Sequence, residues 1–242
     1  TTAGLPDMET TKKIMFAQQE AGIDVMELGI PFSDPVADGP VIQAASYEAI
    51  QKGATLTKIF TLMKEVRKEG LTTPVVFMMY YNTVYHYGLE EFVEMCADCG
   101  VDGLIIPDLP YEEQKEINAV LAENEAAPIL IQLVSPVSKQ RIPMIVNNAR
   151  GFVYCVSQMG VTGNGTNFHK QIREYLLEVK KNSPVPVMMG FGIRTAGDVE
   201  PLEDIIDGAI VGSHFITLMK ENNYDENVIK EYISSFKKEM NE

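Results

Sequence analysis

The 242-residue sequence has few cysteines and few basic residues, and each shortage excludes a class of protein. Three cysteines (Cys96, Cys99 and Cys155) are too few for a disulfide framework and suit a reducing compartment. The 20 Lys and Arg residues are outnumbered by 34 Asp and Glu residues, which gives a net charge of −14. Because nucleic acids and anionic membranes are bound through basic side chains, we expect neither kind of partner.

Long apolar runs and targeting signals are also missing. No uninterrupted apolar run approaches the roughly 18 residues that span a bilayer. The start of the chain, Thr1–Gly4, has neither a basic region nor an apolar signal core. The three histidines have no metal-ligand spacing, and the Cys96–Cys99 pair falls at the end of a predicted helix, where a buried structural pair is expected. These features predict a cytoplasmic protein without a metal site.

What the sequence does contain is an alternation of short apolar strands with amphipathic helices. Asp7 suits a helix N-cap, Pro40 suits a first helical position, and several glycines fall where helices end. The predicted strands are Ile23–Leu28, Pro74–Tyr80, Gly103–Ile106, Ile129–Val134, Gly151–Val156, Val185–Met189 and Ala209–Val211. The predicted helices are Asp7–Ala21, Pro40–Lys52, Leu56–Lys68, Leu89–Cys99, Glu112–Asn124, Ser138–Asn147, Phe168–Lys181, Ala196–Leu202, His214–Glu221 and Glu226–Met240.

This alternation is typical of parallel βα units. Seven units predict an α/β fold: a single-domain (β/α)8 barrel over residues 1–242, whose first strand lies mostly before Thr1. A doubly wound open sheet is the structural alternative. The even repeat favours the barrel, and in either fold the site lies at the carboxyl ends of the strands.

Glu27 is the exceptional residue of the first predicted strand, because an ionisable group inside an apolar strand is costly to bury. The period of two places Glu27 on the face opposite Met26 and Leu28. Desolvation there would raise its pKa and suit it to acid–base chemistry. A structural Glu, paired with an Arg or capping a loop, is equally compatible with the sequence. The loop that follows contains Asp34 and Asp38, which taken alone favour turn-forming roles.

Three glycine-rich segments follow the last strands: Gly160–Gly163, Gly190–Gly192 and Gly212–Ser213. Glycines at strand ends let backbone N–H groups converge on an anion, and a helix starting near Ser213 would add its positive end. Their consecutive placement predicts a phosphate site held by backbone dipoles, which agrees with the scarcity of basic side chains.

The segment from Glu27 to Gln43, ELGIPFSDPVADGPVIQ, resembles the signature of the tryptophan synthase alpha subunit family. The resemblance continues through Phe77–Asn82, Gly103–Pro110, Gly151–Gly163, Gly190–Ile193 and Val211–Ser213, and it covers essentially the whole chain. It implies a (β/α)8 barrel that cleaves indole-3-glycerol phosphate to indole and glyceraldehyde 3-phosphate. It further implies an alpha2beta2 complex with a beta subunit that carries pyridoxal phosphate, and no cofactor in this chain.

The same resemblance implies roles for individual residues. Glu27 matches the acid–base carboxylate, and Asp38 matches the carboxylate that interacts with the indole N–H. Asp34 is expected at the subunit interface and Asp108 near the active centre. The residues implied to bind substrate are Tyr154, Phe191, Tyr80, Met78, Ile105 and Thr162, and those implied to bind phosphate are Gly163, Gly192, Gly212 and Ser213.

Other functions compete with this one. A free-standing indole-glycerol phosphate lyase would need no beta partner, and a non-catalytic activating subunit would only assist one. Retention of both Glu27 and Asp38 opposes the second of these. A phosphosugar epimerase would keep the late glycine segments but not the segment from Glu27 to Gln43.

Overall fold

The computed structural model describes residues 1–138, 140–156, 166–190 and 192–240, without the side chains of 166–170. Its strands are β1 (Met26–Gly29), β2 (Val75–Met78), β3 (Gly103–Ile105), β4 (Ile129–Leu130), β5 (Gln132–Val134), β6 (Val153–Val156), β7 (Val187–Gly190) and β8 (Gly208–Ile210). Its helices are α1 (Met8–Glu20), α2 (Pro40–Gln51), α3 (Leu56–Lys68), α4 (Tyr81–Tyr87), α5 (Leu89–Asp98), α6 (Lys115–Ala122), α7 (Ile142–Val146), α8 (Thr166–Asn182), α9 (Ser213–Glu221) and α10 (Glu226–Met240). Among these described helices, none is both long and apolar enough to cross a membrane.

The chain divides into two compact units, Thr1–Leu130 with Phe215–Glu242, and Ile131–His214. The first unit contains a parallel sheet in the order β1-β2-β3-β4, and the second contains a parallel sheet in the order β5-β6-β7-β8. Before β1 the structure has a single parallel bridge, from Thr2 to Gly29, and no strand, as predicted. The prediction of one domain stays a prediction.

The first unit has a continuous apolar core between its sheet and its helices. Met26 and Leu28 of β1, Phe77 of β2 and Leu104 of β3 are almost completely buried there, together with helical residues such as Ile59. Because side chains alternate along a strand, these positions mark the face of the sheet that the helices cover.

The predicted helix signals are confirmed. The Asp7 side chain accepts a hydrogen bond from the Thr10 N–H and caps α1, and Pro40 is the first residue of α2. The glycines that follow the predicted helices have positive φ angles, which residues without a Cβ adopt readily. They are Gly22, Gly53, Gly70 and Gly100.

Three predicted elements were wrong in extent. The predicted strand Ile129–Val134 is two strands that separate at Ile131, because β4 pairs with β3 whereas β5 pairs with β6. The predicted helix Ala196–Leu202 is two 3₁₀ turns, since Pro201 interrupts it. Helix α4 was not predicted, and α7 is five residues long where ten were expected.

In each sheet, an aspartate that directly precedes one strand accepts a hydrogen bond from the first N–H group of the neighbouring strand. Asp102, before β3, accepts hydrogen bonds from the Val75 N–H at 2.7 Å and from Arg67. Asp207, before β8, accepts hydrogen bonds from the Val187 N–H at 2.7 Å and from Lys180. In both cases the aspartate links the start of the preceding strand to the helix that leads into that strand.

The contact with the strand N–H predicts that Asp207→Ala lowers the free energy of unfolding by about 1–3 kcal/mol, because a charge-assisted hydrogen bond is lost. Asp204→Ala is the matched control, since Asp204 pairs with Arg173 on the surface of the same unit without touching a strand. We expect the control to lose clearly less stability, because an ion pair exposed to solvent contributes little. Urea denaturation measures both, and equal losses would contradict the assigned role.

Candidate active site

Glu27 lies in β1 on the sheet face opposite the helices. Its neighbours Met26 and Leu28 point into the helix-covered core and are each 1% exposed, so the alternation predicted for this strand is confirmed. Glu27 is in register with Val76 of β2. The carboxyl group therefore lies on an apolar face.

Two residues expected to contact indole share this face. Met78 ends β2 and Ile105 ends β3, and the two are register partners. Gly29 of β1 is in register with Met78. The row formed by Gly29, Met78 and Ile105 therefore lies nearer the carboxyl ends of the strands than Glu27 does. Met78 is partly exposed, and Ile105 is completely buried. The first unit thus brings an acid and two apolar side chains to one end of one sheet face.

The environment of Glu27 changes its acidity. Its Oε1 atom is buried and has no hydrogen-bond partner among the described residues. Burial raises the pKa of Glu27 to about 7. A carboxyl group that titrates near neutral pH can both give and take a proton. The structural alternative of an Arg partner is not supported, because no ion pair to Glu27 occurs in the described part of the chain.

Asp38, in the loop between β1 and α2, is held by a contact that sequence reasoning missed. The Tyr80 hydroxyl donates a hydrogen bond to Asp38 Oδ2 at 2.9 Å and accepts one from the Ala37 N–H at 2.9 Å. The Asp38 carboxylate thus bonds a side chain 42 residues away, a contact that the turn propensity of an Asp-Gly pair does not predict. Burial raises the pKa of Asp38, and the hydrogen bond from Tyr80 counteracts that rise.

Asp34 and Asp108 have different surroundings. Asp34 is exposed and accepts a hydrogen bond from the neighbouring Ser33 hydroxyl at 2.5 Å. Asp108 follows β3, and its Oδ1 accepts a hydrogen bond from the Tyr81 N–H at 2.9 Å, at the start of α4. A polar residue just after a strand was the available signal for Asp108, but nothing in the sequence indicated which backbone group it would bind.

The second unit places Tyr154 against a glycine. Tyr154 lies in β6 and is 5% exposed. A Cβ atom added to Gly190, the last residue of β7, would lie 2.4 Å from the Tyr154 hydroxyl oxygen and 2.6 Å from its ring. Glycine leaves room for the ring in this position, so Gly190 permits the observed location of Tyr154.

The glycine segments are described in part. Thr162, Gly163 and Phe191 lie outside the described residues. Gly192 has a φ of +77°, which favours glycine, and a Cβ atom added there or at Gly212 would meet nothing within 4 Å. Helix α9 begins at Ser213, directly after Gly212. The backbone at Gly212, next to the start of this helix, therefore has free space beside it, which an anion bound by backbone N–H groups requires.

These features fit an acid–base enzyme built on a parallel α/β fold. In the described residues, no group of three or more His, Cys, Asp or Glu side chains could hold a metal ion. The three cysteines are buried and form no disulfide, as expected of the Cys96–Cys99 pair, and burial raises the pKa of the Cys99 thiol to about 11.

Comparison with known proteins identifies the family. The family described as "Tryptophan synthase alpha chain" matches residues 1–242. The chain is 74% identical to the tryptophan synthase alpha chain of Lachnospira eligens, over 100% of this chain and 91% of the relative. The crystal structure of tryptophan synthase subunit alpha from Legionella pneumophila has a TM-score of 0.88 at 32% identity, over 99% of this chain and 90% of that one. The tryptophan synthase a2b2 complex from Pyrococcus furiosus gives a TM-score of 0.87 at 31% identity, over 98% and 95%.

The chain therefore belongs to the tryptophan synthase alpha chain family. Its fold class is that family's (β/α)8 barrel, as predicted. It is a lyase of tryptophan biosynthesis.

The raised pKa of Glu27 predicts a pH-dependent stability. Between about pH 4.5, the ordinary value for Glu, and about pH 7, the folded chain binds a proton that the unfolded chain releases. The free energy of unfolding therefore falls as the pH rises through this window, by up to about 3 kcal/mol. Glu27→Gln should remove this decrease, so that the variant gains stability relative to the parent protein as the pH increases.

Urea denaturation from pH 4 to pH 8 measures the effect. Glu94→Gln, at an exposed position in α5, provides the control and should follow the curve of the parent protein. A Glu27→Gln variant whose stability ran parallel to that of the parent protein at every pH would contradict a raised pKa.

Proposed function

We propose that this chain performs the family's cleavage of indole-3-glycerol phosphate to indole and glyceraldehyde 3-phosphate with Glu27 as the acid–base and Asp38 as the carboxylate at the indole N–H. The observation that carries the assignment is the buried, unpartnered Oε1 atom of Glu27, on the same sheet face as Met78 and Ile105. A protonated carboxyl group and an apolar surface are what an indole ring needs at its reacting carbon.

The reaction is a retro-aldol cleavage in which one carboxyl group can act twice. Glu27 first gives its proton to C3 of the indole ring. The resulting carboxylate then takes the proton from the hydroxyl group on the adjacent side-chain carbon. As the C–O bond becomes a carbonyl, the C–C bond breaks and its electron pair returns to the ring. Glu27 ends protonated, as it began, and no redox step is involved. Acid–base assistance of this kind contributes roughly 10²- to 10⁴-fold.

Asp38 has a different task, which it performs as an anion. Protonation of C3 develops positive charge on the indole nitrogen, and an ionised carboxylate that accepts the N–H hydrogen bond stabilises that charge. One oxygen of Asp38 already accepts a hydrogen bond from Tyr80, which favours the ionised form. The other oxygen is left for the substrate.

The remaining predicted residues surround the substrate. In the first unit we assign Met78 and Ile105 to contact with the indole, and Tyr80 to the surroundings of the indole beside Asp38. In the second unit the proposed aromatic and polar contacts are Tyr154, Phe191 and Thr162, and the proposed phosphate ligands are the backbone amides of Gly163, Gly192, Gly212 and Ser213.

The partner follows from the family. The Pyrococcus furiosus relative forms an a2b2 complex, and this chain pairs in the same way with a beta subunit, which carries the pyridoxal phosphate. Asp34 is proposed at that interface, where its exposure leaves it accessible. We place the complex in the cytoplasm.

The acid–base assignment predicts that Glu27→Gln nearly abolishes indole formation while the affinity for glycerol phosphate changes by less than a few fold, because the amide keeps the shape but cannot transfer the proton. Indole release is measured with and without a beta subunit, and affinity by calorimetry. Near-normal turnover of the variant would contradict the assignment.

In the parent protein, strong stimulation by the beta subunit supports an alpha subunit, whereas high unassisted turnover supports the free-standing lyase.

The phosphate assignment predicts that Gly212→Asp weakens glycerol phosphate binding by at least about ten-fold through charge repulsion. The fold should tolerate the change, because a Cβ atom at Gly212 meets no neighbour within 4 Å. Gly197→Asp is the matched control: it adds the same charge to an exposed 3₁₀ turn of the same unit, outside the proposed ligands. Equal affinities for the two variants would place the phosphate elsewhere.

A further inference from the structure

We propose that Tyr80 is a positioning residue for cleavage, whose hydroxyl group holds the Asp38 carboxylate and the backbone of its loop in the orientation that the indole N–H requires. This inference rests on the proposed role of Asp38. It assigns Tyr80 to the carboxylate rather than to direct contact with the substrate.

The Tyr80 hydroxyl connects two groups of the loop at once. It donates its proton to Asp38 Oδ2 at 2.9 Å and accepts the Ala37 N–H at 2.9 Å. One oxygen atom therefore fixes the side chain of Asp38 and the peptide group that precedes it. The Asp38 backbone is held as well, because Gln43 Nε2 donates to its carbonyl oxygen at 2.8 Å. A carboxylate constrained on both sides has little freedom to turn away.

The aromatic ring of Tyr80 is itself fixed. Tyr80 is 5% exposed and follows β2 by two residues, which gives it a rigid base. Phe32, from the same loop as Asp38, stacks on the ring with centroids 4.9 Å apart and planes 21° apart. The loop is thus attached to Tyr80 by a stacked ring, a peptide N–H and a carboxylate.

The segment that follows Tyr80 is anchored by a second acid. Asp108 Oδ1 accepts a hydrogen bond from the Tyr81 N–H at 2.9 Å, which ties the start of α4 to the end of β3. Burial raises the pKa of Tyr80 to about 12, and the negative charges of Asp38 and Asp108 add to this rise. The hydroxyl therefore keeps its proton at neutral pH and serves as a donor to Asp38.

The hydrogen bond matters because Asp38 is partly buried. Burial favours the neutral acid, whereas stabilising the indole nitrogen requires the anion. A neutral donor aimed at Oδ2 shifts this balance toward the anion without adding a positive charge that would compete for the carboxylate. Tyrosine meets these requirements, and phenylalanine would keep only the stacking.

Tyr80→Phe should lower kcat for indole formation by about ten-fold or more, with KM changed by less than about three-fold, because a charge-assisted hydrogen bond is lost. The acidic limb of the kcat–pH profile should move to higher pH, since Asp38 becomes easier to protonate.

Tyr81→Phe is the matched control: it removes the adjacent hydroxyl, which faces Glu116 at 3.5 Å, and should reproduce the parent profile. Thermal unfolding verifies that both variants fold, and 3-fluorotyrosine at position 80 replaces the Phe variant if that variant does not.

The outcomes separate this inference from the proposed function. In the Asp38→Asn background, Tyr80→Phe should cause no further loss, because it acts through the carboxylate. If Asp38→Asn is impaired while Tyr80→Phe keeps the parent kcat and pH profile, the positioning role is wrong and the proposed function stands. If Asp38→Asn keeps full activity, the proposed role of Asp38 is itself wrong. With 3-fluorotyrosine, an acidic limb that does not move to lower pH would overturn the positioning role.

Discussion

The site depends on one physical constraint, which is the cost of placing a carboxyl group on the apolar face of a parallel sheet. Glu27 forms no ion pair with a Lys, Arg or His side chain among the described residues, and its Oε1 atom has no hydrogen-bond partner there. The folded chain responds by retaining a proton on Glu27 at a pH where an ordinary glutamate has lost it. Met26 and Leu28, packed into the helix-covered core, prevent β1 from rotating Glu27 to the surface.

The proposed machinery controls charge differently for each group. Burial raises the pKa of Glu27 to about 7, so that Glu27 retains a proton well above the ordinary pH for a glutamate. Burial raises the pKa of Asp38, and a hydrogen bond from a neutral hydroxyl opposes this rise and favours the anion that its proposed role requires. The phosphate is assigned to backbone amides near Gly192, Gly212 and the start of α9, so that no lysine cluster is needed. A chain with a net charge of −14 can in this way bind an anionic substrate.

Much of this could be predicted from the sequence, because the relevant signals are local. The period of two assigned the faces of β1, and the caps at Asp7 and Pro40 located helix starts. The division of the predicted strand at Ile131 could not be predicted, since no Gly, Pro or turn signal interrupts the segment and the two halves are distinguished by the strands they pair with. The contact between Tyr80 and Asp38 could not be predicted for the same reason. An Asp-Gly pair favours a turn locally, whereas the hydrogen bond from Tyr80 joins residues that only the folded chain brings together.

The central claim is that Glu27 is a protonated acid near neutral pH, and carbon-13 NMR of the Glu27 side-chain carboxyl group tests it most directly. The protein, selectively labelled at glutamate and assigned by comparison with Glu27→Gln, is titrated from pH 3 to pH 9. The account predicts a midpoint for Glu27 at about pH 7, well above the ordinary value of 4.5. A midpoint at that ordinary value would contradict it, because the carboxyl group would then hold no proton to deliver to the indole ring.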